Sequence, residues 1–354
     1  MFINLSKNIS LANVEIHFMH GLGIINQFSE NLSFDSVLII PSHGRMISAF
    51  ADCLHFSGCR GFINIQNCHF KGSHDDPVNV HGTQLRIVET SSANSVKVRF
   101  MHGQTYGFPA FFAGDTVHFV HSASLQTYSS AIVADAKLLS EREMALTFTT
   151  TLPAAFQKDD CIENITWTPS LTVRNCLFEA TNTRGLLVTT PRKVIIEGNT
   201  FNKTGMQAIL IADDASSWFE SGAVKDVTIS RNTFINCVYN LGKNNYTIAI
   251  EPENHALVKN FYVHNNINIV NNTFITRGSA LLNARSTSNL VFTGNSISRS
   301  DSTFTKAKPS IIRLTACDKV TIRDNRFTNS EPTIAMTFMK IKSVTGDVIG
   351  KFKN

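Results

Sequence analysis

The stretch VIIEGNTF, residues 194–201, is a short β-branched run that ends in Asn-x-Phe. Val and Ile favour a pleated, half-buried surface. The unit, with Asn-x-Phe or a close variant, recurs as INIQNCHF (63–70), LTVRNCLF (171–178), VTISRNTF (227–234), INIVNNTF (267–274), LVFTGNSI (290–297) and VTIRDNRF (320–327), with weaker copies at ISLANVEI (9–16) and LSFDSVLI (32–39). Its Asn falls at 67, 175, 199, 232, 272, 295 and 325, so the shortest steps are 24 (175 to 199) and 23 (272 to 295) residues. Each copy is followed by a second short strand, as in ADCLHFSG (51–58), TRGLLVTT (183–190), MQAILIAD (206–213) and PSIIRLTA (309–316). Two-residue alternation dominates and the helical period of about 3.6 is nearly absent.

Short strands repeating every 20 to 30 residues or so mark a solenoid. One turn is too small to bury a core, so turns stack at about 4.8 Å, the spacing between paired strands. Stacked Asn amides at the bend form a hydrogen-bonded ladder for backbone groups that a sharp corner orphans. Alternatively, Asn serves there because it tolerates left-handed backbone. Either role puts it at a corner. Phe accounts for 26 aromatics against 5 Tyr and 2 Trp, which suits a dry stack with no polar handles. The expected fold is all-β: a right-handed parallel β-helix with an inserted small β-barrel-like domain.

The insert is expected where the unit disappears, between about residues 83 and 170. TQLRIVE, SVKVRFM, DTVHFV, AIVADAKLL and MALTFTT supply independent strands there. The division is therefore 1–82 first part of the helix, 83–170 insert, 171–345 second part and 346–354 tail. An insert of this kind needs its two ends close in space.

Bulk properties exclude several classes. The net charge of +5 is spread along 354 residues, which gives no concentrated basic face for nucleic acid. No run of about 18 apolar residues offers a membrane-spanning helix. Seven cysteines, an odd number without CxxC, argue against a zinc site or a disulfide framework and for buried small hydrophobes. The N-terminus MFINLSKNISLANVEIHF has no basic region followed by a continuous apolar core, so it is not a signal peptide.

One segment resists a purely structural reading. GSHDDPVNVHG (72–82) sets Asp75 and Asp76 side by side at the mouth of a strand. Aligned with ADCLHFSG, it places Asp52 over Asp76, His55 over Asn79, Phe56 over Val80 and Gly58 over Gly82. Three carboxylates then converge on one corner. They cannot all ionise without cost, so at least one pKa rises. A protonated carboxyl beside an ionised one is what acid–base cleavage of a glycosidic bond requires, and no metal or cofactor is needed. Asp at turns before strands also serves as a plain backbone acceptor. Calcium is another use of clustered carboxylates, although the Gly-Gly-x-Gly-x-Asp repeat is missing.

Outward positions of stacked turns are expected to line a groove through Gln27, His55, His81, Thr189, Asp213, Glu251 and Arg285, with the register uncertain by one. His55, Asn79, His81 and Glu251 are candidate sugar contacts. Arg45 is a candidate for steering substrate or holding an Asp ionised.

GRMISAFADCLHFSGCRGFINIQNCHFKGSHDDPVNVHGT (44–83) resembles the core signature of glycoside hydrolase family 110, the exo-acting α-1,3-galactosidases. The resemblance extends through HGLGIINQFSENLSFDSV and QTYGFPAFFAGDTVHFV, and more weakly through NLGKNNYTIAIEPENH. It implies a parallel β-helix with added β-barrel domains. It also implies inverting release of terminal α-1,3-linked galactose, as on blood-group B-type or linear Gal-α1,3-Gal glycans. The family's catalytic aspartates match Asp52, Asp75 and Asp76. Pro77 departs from the small residue expected after the Asp pair. Family members are longer at the N-terminus and carry a secretion signal, which implies that the first turns lie outside this chain and that the full-length protein is secreted, periplasmic or on the cell surface. Two other readings compete: a polygalacturonase-like hydrolase, which needs a basic subsite, and a glycan-binding β-helix without turnover.

Overall fold

The structure is a computed structural model that describes residues 1–157, 159–240, 246–276, 280–300 and 312–328, with the backbone of strands Ile334–Thr337 and Val344–Thr345. Part of the NLGKNNYTIAIEPENH segment and the expected tail after residue 345 lie outside the described residues. All regular secondary structure among the described residues is β. The repeat units stack in parallel register: Ile63, Leu171, Val194, Val227, Ile267, Leu290 and Val320 are successive partners. The second strands form another parallel ladder in which Ile24, Leu54, Val78, Leu186, Ile209, Ile248, Leu282 and Ile312 are successive partners. This second ladder is called the site sheet below.

The core lies between the ladders and is built from the inward residues of each turn. Strand spacing dictates its stacking. The rings of Phe178 and Phe201 lie 4.6 Å apart, Phe201 and Phe234 5.1 Å, and Phe234 and Phe274 4.8 Å, each pair within 18° of parallel. Such separations match the strand repeat of about 4.8 Å.

Both roles considered for Asn are present, at adjacent positions. Asn199, Asn232, Asn272, Asn295 and Asn325 form the ladder: each Nδ2 donates to the next Oδ1 at 2.9–3.1 Å. Asn67 and Asn175 are one residue out of that column. They occupy the left-handed position (φ 55° and 54°) filled elsewhere by Gly198, Arg231, Asn271, Gly294 and Asp324. In those two turns Cys68 and Cys176 take the ladder column; the Cys176 amide donates to Asn199 Oδ1 at 2.9 Å. The shift is written in the sequence: in INIQNCHF and LTVRNCLF the Asn stands three residues before Phe, not two. Asn232→Ala removes two donors and strands the Asn199 amide and side chain. It is expected to cost about 2–4 kcal/mol, seen as a lower urea midpoint at unchanged slope. Asn232→Cys, which reproduces the 68 and 176 solution, is expected to cost less.

The strand that begins at Val78 runs on to Ser92, leaving the helix and entering a closed antiparallel barrel. Arg86–Ser92 pairs with Ser95–Arg99, then follow Glu143–Phe148, Gln126–Leu138, Thr116–His121 and Cys161–Asn164, which returns to pair with Thr83–Arg86. Thr83 is thus the neighbour of Asn164, so entry and exit of the insert are hydrogen-bonded together. Phe28, from a turn of the helix, plugs the barrel core against Phe108, Phe112 and Trp167 at 5.4–5.8 Å. The barrel is therefore fixed beside the site sheet.

Candidate active site

The three carboxylates meet as the stacking requires. Asp52 precedes strand Leu54–Ser57, and Asp76 precedes Val78. Leu54 pairs with Val78, and the Cys53 amide donates to the Asp76 carbonyl at 3.1 Å, which sets Asp52 beside Asp76. Pro77 does not open the corner, because its carbonyl still accepts from the Leu54 amide at 2.9 Å. One carboxylate oxygen from each of Asp52, Asp75 and Asp76 lies within 4.8 Å of the others. Asp52 and Asp76 are buried, whereas the Asp75 side chain is 47% exposed.

A guanidinium absent from the sequence expectations holds this cluster. Arg184 Nε donates to both oxygens of Asp76 at 2.7 and 3.0 Å, and Nη2 reaches Asp75 Oδ1 at 3.5 Å. Thr183 Oγ1 donates to Asp75 at 3.3 Å and Asp76 at 3.2 Å. The signal was present in the sequence. Leu186 partners Val78, so Arg184 is the next-turn equivalent of Asp76 and Asp52. Carrying the alignment across the barrel insert would have found it.

Burial pushes the Asp76 carboxyl up; Arg184 pulls it down, and the charges of Asp52 and Asp75 push it up again, to about 7. Asp75 is also raised, by burial and then by Asp52, against the pull of Arg184. Carboxyls this close titrate as a group. Asp76 and Asp75 therefore keep a proton to higher pH than an ordinary carboxyl does.

A second network orients Asp52. His55 Nδ1 lies 2.8 Å from Asp52 Oδ2, and its Nε2 lies 3.1 Å from His81 Nε2. His81 Nδ1 faces the Gly82 carbonyl at 2.7 Å and must donate to it, since a carbonyl only accepts. The contact between the two Nε2 atoms then needs a proton on one of them. Burial disfavours the charge on His55, but the hydrogen bond and charge of Asp52 outweigh it and raise His55. Burial lowers His81, with His55 adding to the effect against Glu220. Of the two rings, His55 is therefore the one that holds a proton more readily.

Glu220 closes this side, 3.4 Å from Asn79 Nδ2 and 3.6 Å from His81 Nε2. It arrives on a loop after strand Ile209–Ile211 that folds back and pairs Glu220–Ser221 with Thr83–Gly82. The Asp214 carboxylate organises that loop by accepting backbone N–H groups from Ser216, Ser217, Trp218 and Phe219. Gly82 permits the close approach, since a Cβ there would sit 2.8 Å from Ser221 Oγ. No local spacing in the sequence links Glu220 to His81.

Other expected site residues fall differently. His55 and Asn79 stand side by side on the site sheet, with Ile25 and Leu187 as their neighbours. His81 aligns with Ser57 and Gln27, so the expected single row containing both histidines is two rows joined diagonally. Ile211 partners Ile250, which sets Ala212 rather than Asp213 beside Glu251. Glu251 lies three strands from His81, accepts from Asn283 Nδ2 and does not reach the trio. Arg45 occupies the exposed turn Ser42–Arg45 and forms no ion pair among the described residues. Of the two roles expected of Arg45, holding an aspartate ionised falls to Arg184.

Residues 95–162 match the family described as GLAA-B beta-barrel domain II, and residues 167–347 match the right handed beta helix region. Alpha-1,3-galactosidase A of Bacteroides fragilis is 48% identical over 337 residues, 94% of this chain and 56% of that protein. Alpha-1,3-galactosidase A of Bacteroides thetaiotaomicron is 43% identical over 92% of this chain and 57% of its own length. Alpha-1,3-galactosidase B of that organism is 38% identical over 97% and 56%. The chain thus spans a little over half the length of these relatives. Among solved structures, the surface adhesin PfbA of Streptococcus pneumoniae aligns over 98% of this chain and 69% of its own, with 11% identity and a TM-score of 0.43.

Proposed function

This chain belongs to the right-handed β-helix family and is kin over almost all its length to proteins named alpha-1,3-galactosidase, and from that premise we propose that it hydrolyses terminal α-1,3-linked galactosides. The observation that carries the reading is the carboxylate trio within 4.8 Å, one member of which is pushed up to about 7. The protonated carboxyl donates to the glycosidic oxygen as the bond to galactose breaks. An ionised partner takes a proton from the attacking water, and galactose and the shortened glycan leave. Asp52, oriented by His55, and Asp76, gripped by Arg184, are buried, whereas Asp75, held by Thr183 at 3.3 Å and Arg184 at 3.5 Å, is about half exposed. Water attack by single displacement needs carboxyls about 6.5–9.5 Å apart, so this route requires Asp75 to turn away from the other two on binding substrate. Direct release of β-galactose, as inversion requires, supports this route; α-galactose as first product would replace it with a covalent one.

A polygalacturonase-like reading needs a cation for a uronate carboxylate. Arg184 is engaged by Asp76 and Asp75 and is not offered to one. The test is release of galactose from Gal-α1,3-Gal by this chain, and no release with either linear or branched substrate would defeat the proposal. A chelator is expected to leave the rate unchanged. Arg184 already takes both Asp76 oxygens and His55 takes Asp52 Oδ2, and a guanidinium beside a cation site repels the cation.

A further inference from the structure

Beside Asp75, the exposed member of the carboxylate trio, the helix carries a column of rings on its surface. The amides of Phe50, His74, Asn182, Gly205 and Tyr239 each donate to the carbonyl just ahead of the counterpart one turn back. His20, Phe50, His74, Asn182, Gly205 and Tyr239 therefore share one column. It runs two residues ahead of Asp52, Asp76 and Arg184, with Asp75 and Thr183 in between. Phe50 is held at its centre: the rings of His20, His74 and Phe18 stand 5.9, 5.4 and 5.9 Å from it, each edge to face. These neighbours orient the Phe50 ring without covering it, for Phe50 stays 49% exposed. At the far end the Tyr239 hydroxyl donates to the Thr181 carbonyl at 2.9 Å, so its side chain reaches back two turns, across Gly205. Tyr239 is 44% exposed. Asn182 lies exposed between the two sets of rings and adjoins Thr183, which donates to Asp75. Single exposed apolar side chains are ordinary, but rings locked against one another at the edge of a site mark a binding surface. An aromatic face is negative at its centre and attracts the polarised C–H groups of a pyranose, while neighbouring amide and imidazole groups reach its hydroxyls. Burial decides which sugar belongs here. Asp52 and Asp76 are buried and Asp75 is half exposed. The cleaved sugar sits against the buried pair, and the glycan that leaves extends past Asp75 toward solvent, where the ring column lies.

We propose that this column is the subsite for the sugar that leaves with the glycosidic oxygen, with Phe50 as its stacking platform and Tyr239 as its second wall. The assignment rests on the galactosidase reading for the reaction, not for the existence of a sugar site. α-Galactosyl fluoride carries the cleaved sugar with no glycan behind it, so it does not touch the column. The quantity to measure is kcat/KM on a Gal-α1,3-Gal-terminated oligosaccharide divided by kcat/KM on the fluoride. In Phe50→Ala and in Tyr239→Ala this ratio is expected to fall about tenfold or more. Phe50→Leu keeps the apolar bulk but not the ring face, and should lose nearly as much; a ring needed only for packing would be largely replaced by Leu. An unchanged ratio in Phe50→Ala, from equal losses on both substrates or from none, would overturn the proposal. If the parent cleaves neither substrate, the galactosidase reading fails alone and binding decides the subsite. Saturation-transfer NMR with N-acetyllactosamine on the full chain is then the measurement. A signal in the parent that is lost in Phe50→Ala supports the subsite; equal signals in both, or none in the parent, refute it.

Discussion

Asp76→Asn is expected to reduce galactose release by about a thousandfold or more while making the protein more stable at pH 8. The activity loss follows from removing one member of the carboxylate trio, since positioned acid–base catalysis is worth about 10²–10⁴. The stability gain follows from the raised carboxyl. Asp76 binds its proton with a pKa of about 7 in the folded chain against an ordinary value of 3.8. The unfolded chain therefore loses that proton first, and native stability falls as pH rises between those two values. Asn carries no such penalty. The mutant and parent should unfold alike near pH 4, diverge as pH rises, and differ by a constant few kcal/mol above about pH 7. Urea melts at pH 4, 6 and 8 beside galactose assays check both halves. A mutant that kept its activity would remove Asp76 from the chemistry. One destabilised equally at every pH would show instead that the carboxylate is a structural partner for Arg184.

Arg184→Met is expected to be the second largest effect, with a loss of about a hundredfold or more and a pH–rate profile displaced toward alkaline pH. Arg184 lowers the pKa of both Asp76 and Asp75. Without it both carboxyls hold protons more tightly, so the ionised partner that activates water appears only at higher pH. Removing one side of a buried ion pair typically costs about 3–5 kcal/mol. Here the cost should be smallest in acid, where the trio can protonate, and greatest above neutrality. Arg184→Lys, which restores a point charge but not the fork on both Asp76 oxygens, should fall between parent and Met variant. A profile that keeps its position in Arg184→Met would show that the guanidinium does not tune the trio.

How far these residues were legible in the sequence depended on how many turns separate them. Asp52 and Asp76 are about one repeat apart with no insertion between, so an offset of 24 residues placed them together. Arg184 occupies the same column one turn later, yet the barrel lies between and the sequence distance from Asp76 is 108. Arg45, close to Asp52 in sequence, stands in an exposed turn and does not hold an aspartate. Glu220 was out of reach because it comes from a loop whose path is set by the Asp214 carboxylate and the Gly82–Ser221 contact. His55 and His81 were both identified, but their diagonal contact depends on which of two adjacent rows each occupies.

The sequence alone determined the coil. Two-residue alternation, a bend every 20 to 30 residues and a Phe column leave stacking at the strand spacing as the way to bury short apolar runs. That same spacing brought the aspartates together. The tertiary structure alone decided which charges answer them, how the two histidines meet and where the barrel sits. Backbone periodicity fixes neighbours one turn away, whereas ion pairs and clefts are set by side chains that loops and inserts carry in from anywhere in the chain.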